Sequence, residues 1–392
     1  MAESALLITG KKLWIAVTAL VVATLLGAFL MPSSTGGKIY QGKPLKDWCL
    51  LMFSNDPRQR AEATNFFGLQ GVRILPELVV MLEPGDPYYR NVAWHHTDWL
   101  PQPIRVILLR RIRYPASDEI RMGATRALGM LGPAASMAAP ALGKILEAGK
   151  PPSIWESAGA LARLGASGVP ALTNALQHRD ATVRQAAASG LEQMGPSGSN
   201  AVPALVARLG DLNDPVREAV IRALASMSPA STHSLLEQVE HGQIRARIDA
   251  ARALGMARVS RRLAEQPLLH MAKDPDAEVR SQALETLGDV LAIDPPAVAR
   301  LIEGLGDDDR RVRASAAKSL GQLQGKAAVA VPALQRQLQD KSDASREAAA
   351  KALGQIGKSS TTAIPDLERL LQDRSPSVRQ TATNALTILR EL

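Results

Sequence analysis

Apolar positions along most of this chain fall at helical spacing, and they do so in a unit that returns. Nine times a phrase appears in which one position, usually Arg, precedes a Leu by seven residues, usually with an Ala three or four steps on. The leading positions are Arg121, Ile154, Arg184, Arg217, Arg247, Arg280, Arg313, Arg346 and Arg379, spaced by 33 or 30 residues. Self-similarity at such a period predicts a stacked array of small units rather than a closed globule.

Residues 309–340 show one unit. Asp309 stands where a helix N-cap prefers an acceptor for free backbone N–H groups. Val312, Ala316 and Leu320 then make a narrow apolar stripe, and Gly321 and Gly325 suit a helix C-terminus. Pro332 opens a second helix at a first-turn position, where its missing N–H is harmless, and Leu334 and Leu338 continue the stripe. The same opening returns at Pro76, Pro140, Pro170, Pro203 and Pro365. Acidic caps are expected at Asp118, Asp180, Asp214, Asp276 and Asp343, with Ser375 in the last copy. One helix pair cannot bury its stripe alone, so the pairs must stack, giving an all-α solenoid. The recurring Asp and Arg could form a charged ladder for ligands. Capping plus ion pairs between neighbouring units explains them better, because the Asp stands where a helix start needs it.

The phrase D-x-x-V-R-x-x-A-x-x-A-L-G, seen in Asp276, Val279, Arg280, Leu287 and Gly288 and again in Asp309, Val312, Arg313, Leu320 and Gly321, resembles the short HEAT-like repeat named after phycobilisome lyases. The resemblance covers about residues 56–392. It implies a right-handed superhelix of stacked helix pairs. For function it implies a scaffold or adaptor, and occasionally an enzyme.

Residues 13–31 carry no charge and would span ~28 Å as a helix, enough for a bilayer core. They predict one transmembrane helix. Lys11 and Lys12 precede it, which places residues 1–12 in the cytoplasm and the repeats on the extracytoplasmic (periplasmic) side. A cleaved signal peptide is the rival, but its apolar core is usually about 7–15 residues, followed by a small-residue site. Residues 32–43 read as a linker, 44–117 as an N-terminal cap, first repeat and degenerate repeat, and 118–392 as regular repeats with a C-terminal capping helix.

Net charge is +8, yet residues 118–392 hold 33 Lys and Arg against 30 Asp and Glu. That near-neutral array lacks the basic stripe of a nucleic-acid binder. All 13 aromatic residues lie at or before Trp155. Within 44–53, Leu45, Trp48, Leu51 and Met52 predict an amphipathic lid helix over the first repeat, whose Pro76 opens its second helix. The degenerate stretch 83–117 carries Tyr88, Tyr89, Arg90, Trp94, His95 and Trp99. Aromatic and Arg side chains anchor interfaces, so these six are candidate protein-binding residues. The inner helix face adds Arg208, Arg336 and Arg369, polar but without aromatic anchors.

Candidate chemistry is sparse. His95, His96 and Asp98 have ligand-type groups, but adjacent His side chains diverge and no fourth ligand is apparent. The single cysteine, Cys49, sits beside Trp48 and reads as buried rather than nucleophilic. No phosphate loop, zinc-protease or nucleophile-elbow motif occurs. The expectation is a membrane-anchored, non-enzymatic scaffold for an unidentified protein partner, with no cofactor, no metal, no nucleic acid and no small-molecule substrate. The alternative is a lyase-like or chaperone-like enzyme subunit acting on a bound substrate.

Overall fold

The structure, a computed structural model, describes residues 39–82, 117–149, 152–290 and 295–391. The anchor segment 13–31 and most of 83–117 lie outside the described residues. The chain divides into two compact units between Ala141 and Leu142.

The first unit opens with a two-stranded antiparallel hairpin, β1 (Ile39–Tyr40) and β2 (Lys43–Pro44), at the end of the stretch read as a linker. Gln41 and Gly42 make its turn with φ of 48° and 79°. Helices α1 (Leu45–Leu51), α2 (Pro57–Gln70), α3 (Leu75–Leu82) and α4 (Ser117–Leu131) follow. The local aromatics build this core. Trp48 stacks on Phe66 at 4.2 Å, and Phe67 and Tyr40 meet Phe66 edge-on. The Trp48 indole donates to the Tyr40 carbonyl at 3.1 Å. Helix α1 does more than cover one end, since it packs on both α2 and α4. At the α4 crossing, a methyl group on Gly123 would collide with the Cys49 carbonyl. Burial pushes the Cys49 thiol up to about 12, which keeps it protonated and inert. Residues 57–82 are long and apolar enough to cross a membrane by composition. Here Gly71 interrupts them with φ 53°, and Phe66, Phe67 and Leu78 are buried against neighbouring helices.

Helix α5 (Ala139–Glu147) follows α4 in the chain and spans the division between the units. In the second unit the first helices are α6 (Ser153–Arg163), α8 (Ala181–Met194), α10 (Asp214–Ser226), α12 (Ile244–Met256), α14 (Ala277–Val290), α16 (Arg310–Gln322), α18 (Asp343–Ile356) and α20 (Pro376–Arg390). They alternate with second helices α7 (Val169–Ala175), α9 (Val202–Val206), α11 (Thr232–His241), α13 (Arg261–Met271), α15 (Pro295–Gly304), α17 (Val331–Gln337) and α19 (Ile364–Leu370). Each first helix packs on the next, so the expected all-α array of stacked pairs is present. Its core is mostly Ala, Leu, Val and Ile, with Met227 and Met271 among them, and Leu320, Ala349 and Leu353 are fully buried.

Three expectations change. Asp180 and Asp309 do cap their helices, accepting from the N–H of Thr182 and Arg311 at 2.8 Å, and Asp276 accepts from Glu278 at 2.8 Å. But Asp118, Asp214 and Asp343 sit inside first turns, and Ser342 and Ser375 make no side-chain cap bond. An earlier Asp shapes these loops instead. Asp211, Asp340 and Asp373 accept from the N–H two residues on, at Asn213, Ser342 and Ser375. Gly321 does not end its helix either. It lies within α16, and an added methyl would sit 2.8 Å from the Ala352 Cα, so glycine is there for close helix approach.

The Arg–Asp pairs bind neighbouring units. Arg184, Arg280, Arg313 and Arg346 each grip an Asp 27 residues on with two parallel bonds of 2.7–3.0 Å. Each Nη1 also donates to a loop carbonyl six residues back. The rungs change where the spacing shortens to 30 residues. Ile154 replaces Arg, and His178 holds the loop position, its Nδ1 accepting from the Asp180 N–H at 3.1 Å. His241 holds the other, and Arg217 turns to Asp249, at a longer 3.7 Å.

Candidate interaction surfaces

First helices satisfy their polar groups largely among themselves. Beside the main rungs, Arg222 pairs with Glu192 at 3.0 Å, Arg252 with Glu218 at 2.8 Å and Lys318 with Glu285 at 3.1 Å. Burial raises the Asp340 carboxyl, but the Arg313 fork and the Ser342 N–H outweigh it and hold it below the usual range. Asp373 is held low chiefly by the Arg346 fork. At Asp309 the Arg311 side chain, then its N–H, lower the carboxyl to about 2. These groups are committed to structure.

Second helices differ. In α7, α17 and α19 a proline stands in the first turn and the residue four steps on faces solvent: Asn174 after Pro170, Arg336 after Pro332, Arg369 after Pro365. Arg336 has no carboxylate partner among the described residues, whereas Arg369 bonds Asp366 at 2.9 Å. Arg208 stands one step further round, half-buried beyond the end of α9. The three arginines therefore do not form one cluster, because α11, α13 and α15 separate Arg208 from Arg336 in the helix order. Tyr88, Tyr89, Arg90, Trp94, His95 and Trp99 lie outside the described residues, as do His96 and Asp98.

Sequence reading passed over an open groove between α13 and α15. Gln266, His270 and Lys273 line one side, and Arg300 and Glu303 the other, paired at 2.6 Å. The signal was present, since Arg300 follows Pro296 by the same four steps.

Helix pairs stacked through first helices, tied by Arg–Asp rungs and exposing polar second helices, define an all-α repeat protein. The chain belongs to the HEAT-repeat family: the family model for HEAT repeats matches residues 139–225, 232–321 and 298–387. Comparison with curated proteins finds no match. Among solved structures it is similar to Kap121p bound to Nup53p, with a TM-score of 0.55 at 15% identity, over 90% of this chain and 42% of that one. Kap95p with RanGDP gives 0.46 at 16%, over 86% and 50%. An engineered protein gives 0.37 at 20%, over 88% and 98%. At these identities the likeness is one of fold.

Proposed function

We propose that the chain is a non-enzymatic HEAT-repeat scaffold that binds a protein partner through its second-helix face. One observation carries this reading: ion pairs such as Arg222–Glu192, Arg252–Glu218 and Lys318–Glu285 tie first helix to first helix, while α7, α17 and α19 each present a polar group at the same exposed step, Asn174, Arg336 and Arg369. A solenoid of this kind offers a long surface whose specificity is spread over several units. The solved Kap121p structure is itself a complex with Nup53p. The short phycobilisome-lyase form of the repeat belongs to the reading, on the phrase that ends in Leu287-Gly288 and Leu320-Gly321.

The reading includes an uncleaved membrane anchor at residues 13–31, supported by their uncharged run, and an extracytoplasmic array, supported by Lys11 and Lys12. Residues Tyr88, Tyr89, Arg90, Trp94, His95 and Trp99 are proposed as further anchors, on composition. The test is site-specific photocrosslinking in native membranes. Probes at Asn174, Arg336 and Arg369 should capture a discrete protein, and probes at Lys351 and Arg222 on first helices should not. Equal capture from both faces, or capture from first helices alone, would overturn the second-helix assignment.

A further inference from the structure

Helix α20 stands apart from the first helices before it. Gly288, Gly321 and Gly354 each let the next first helix approach so closely that an added methyl would lie within 3.1 Å of its nearest atoms. At the matching step α20 has Thr387, and at the step of buried Ala317 and Ala350 it has Thr383, both exposed. Branched side chains there forbid another unit in the same close packing.

The exposed stripe is Gln380, Thr383, Asn384, Thr387, Ile388 and Glu391, a continuous helical face. It is less hydrophilic than its sequence reads. The Thr383 and Thr387 hydroxyls donate back to the carbonyls of Arg379 and Thr383, Gln380 bonds Asn384, and Ile388 is 45% exposed.

Two charges on α20 are left over. Arg379 is held as in the regular rungs, its Nη1 donating to the carbonyls of Asp373 at 2.7 Å and Arg374 at 3.3 Å. Yet the Nε–Nη2 edge, which grips an Asp in the Arg313 and Arg346 rungs, meets no carboxylate among the described residues. Glu391 is exposed at the C-cap and has no ion pair among the described residues, while neighbouring Arg390 bonds Glu368. A cation in the first turn and an anion at the C-cap both oppose the helix dipole.

The geometry points to a second copy of this chain as the occupant of that face, packed antiparallel through α20 about a two-fold axis. Arg379 and Glu391 are 12 residues apart, about 18 Å along the helix. Antiparallel packing about their midpoint, at the level of Ala385, brings each Arg379 level with Glu391 of the second copy, and sets Thr383 level with Thr387 and Gln380 level with Arg390. Each Arg379–Glu391 pairing is thus made twice, as an isologous contact requires. It also reverses both unfavourable charge placements. One helical stripe buries less than the ~800 Å² per partner of a stable interface, so the association is weak and salt-sensitive.

The test is sedimentation velocity of the full-length chain in detergent, from about 10 μM to about 1 mM, the range of a small interface. Dimer should appear across that range and weaken with salt. Arg379→Glu and Glu391→Arg should each weaken it at least about fivefold, roughly one kcal/mol, and the double reversal should restore it. Glu391→Arg keeps the question open to refutation if Arg379→Glu loosens α20. A monomer throughout, a dimer indifferent to both reversals, or a double variant as weak as the singles would overturn the proposal. So would a monomer that loses a different, acidic partner protein on Arg379→Glu.

Discussion

Arg313 joins three units at once: its Nε and Nη2 hold Asp340 at 2.7 and 2.8 Å, while Nη1 donates to the carbonyl of Asp307, whose carboxylate Arg280 holds. Rungs therefore hand on from loop to loop. Both partners are largely buried, Arg313 at 7% and Asp340 at 12% side-chain exposure. Arg313→Ala should cost roughly 3–5 kcal/mol, since it leaves a desolvated carboxylate unpaired. Hydrogen exchange should show the loss in α14, α16 and α18 before α8. Protection lost evenly across the second unit would contradict local coupling between repeats.

Acid should attack the rungs. Asp340 and Asp373 are held below the ordinary carboxylate value of 3.8, so their stabilisation is full above it and is lost as pH falls through the folded values. Asp249 has the opposite sign. Burial raises its carboxyl despite the Gly210 N–H and Arg217, so its contribution is full below 3.8 and declines as pH rises through its folded value. At pH 7, Asp340→Asn should lower the denaturation midpoint while Asp249→Asn leaves it unchanged or raises it. Equal losses in the two variants would refute this contrast.

Gly321, within α16, and Gly325, just beyond its end, differ in what surrounds them. Gly321→Ala places a methyl against the Ala352 Cα and should cost about 1–3 kcal/mol. Gly325→Ala meets open space and should be close to neutral by thermal melt. Leu320→Ala, at a fully buried site in the same helix, should cost about 2–5 kcal/mol.

The anchor proposal predicts that mature protein begins near Met1 and stays with membranes after carbonate washing. N-terminal sequencing that starts near Gly37 would replace the anchor with a cleaved signal.

For the aromatic stretch, Trp94→Ala or Trp99→Ala should reduce partner recovery more than Arg336→Ala. Truncating an interface hot spot costs about 2 kcal/mol or more. Recovery is to be compared at equal folded fraction. If affinity per folded molecule is unchanged, the second-helix face alone remains.

Repeat length, the helix pair and the proline-led second helix were legible in the sequence because each is local. Periodicity, Pro332 and Asp309 act within one or two turns, and self-similarity multiplies a weak signal nine times. Recurrence of Asp at 211, 274, 307, 340 and 373, six residues before each following Arg, was also there to be read. Its meaning was not, because a carboxylate caps a loop or meets a guanidinium according to how units stack. Only the tertiary structure joined Arg313 to Asp340, put Gly321 against Ala352, set α1 against both α2 and α4, and left the Arg379 fork open. Those facts depend on distances between helices far apart in sequence, which follow from packing side chains at close contact and not from the order of apolar and polar residues.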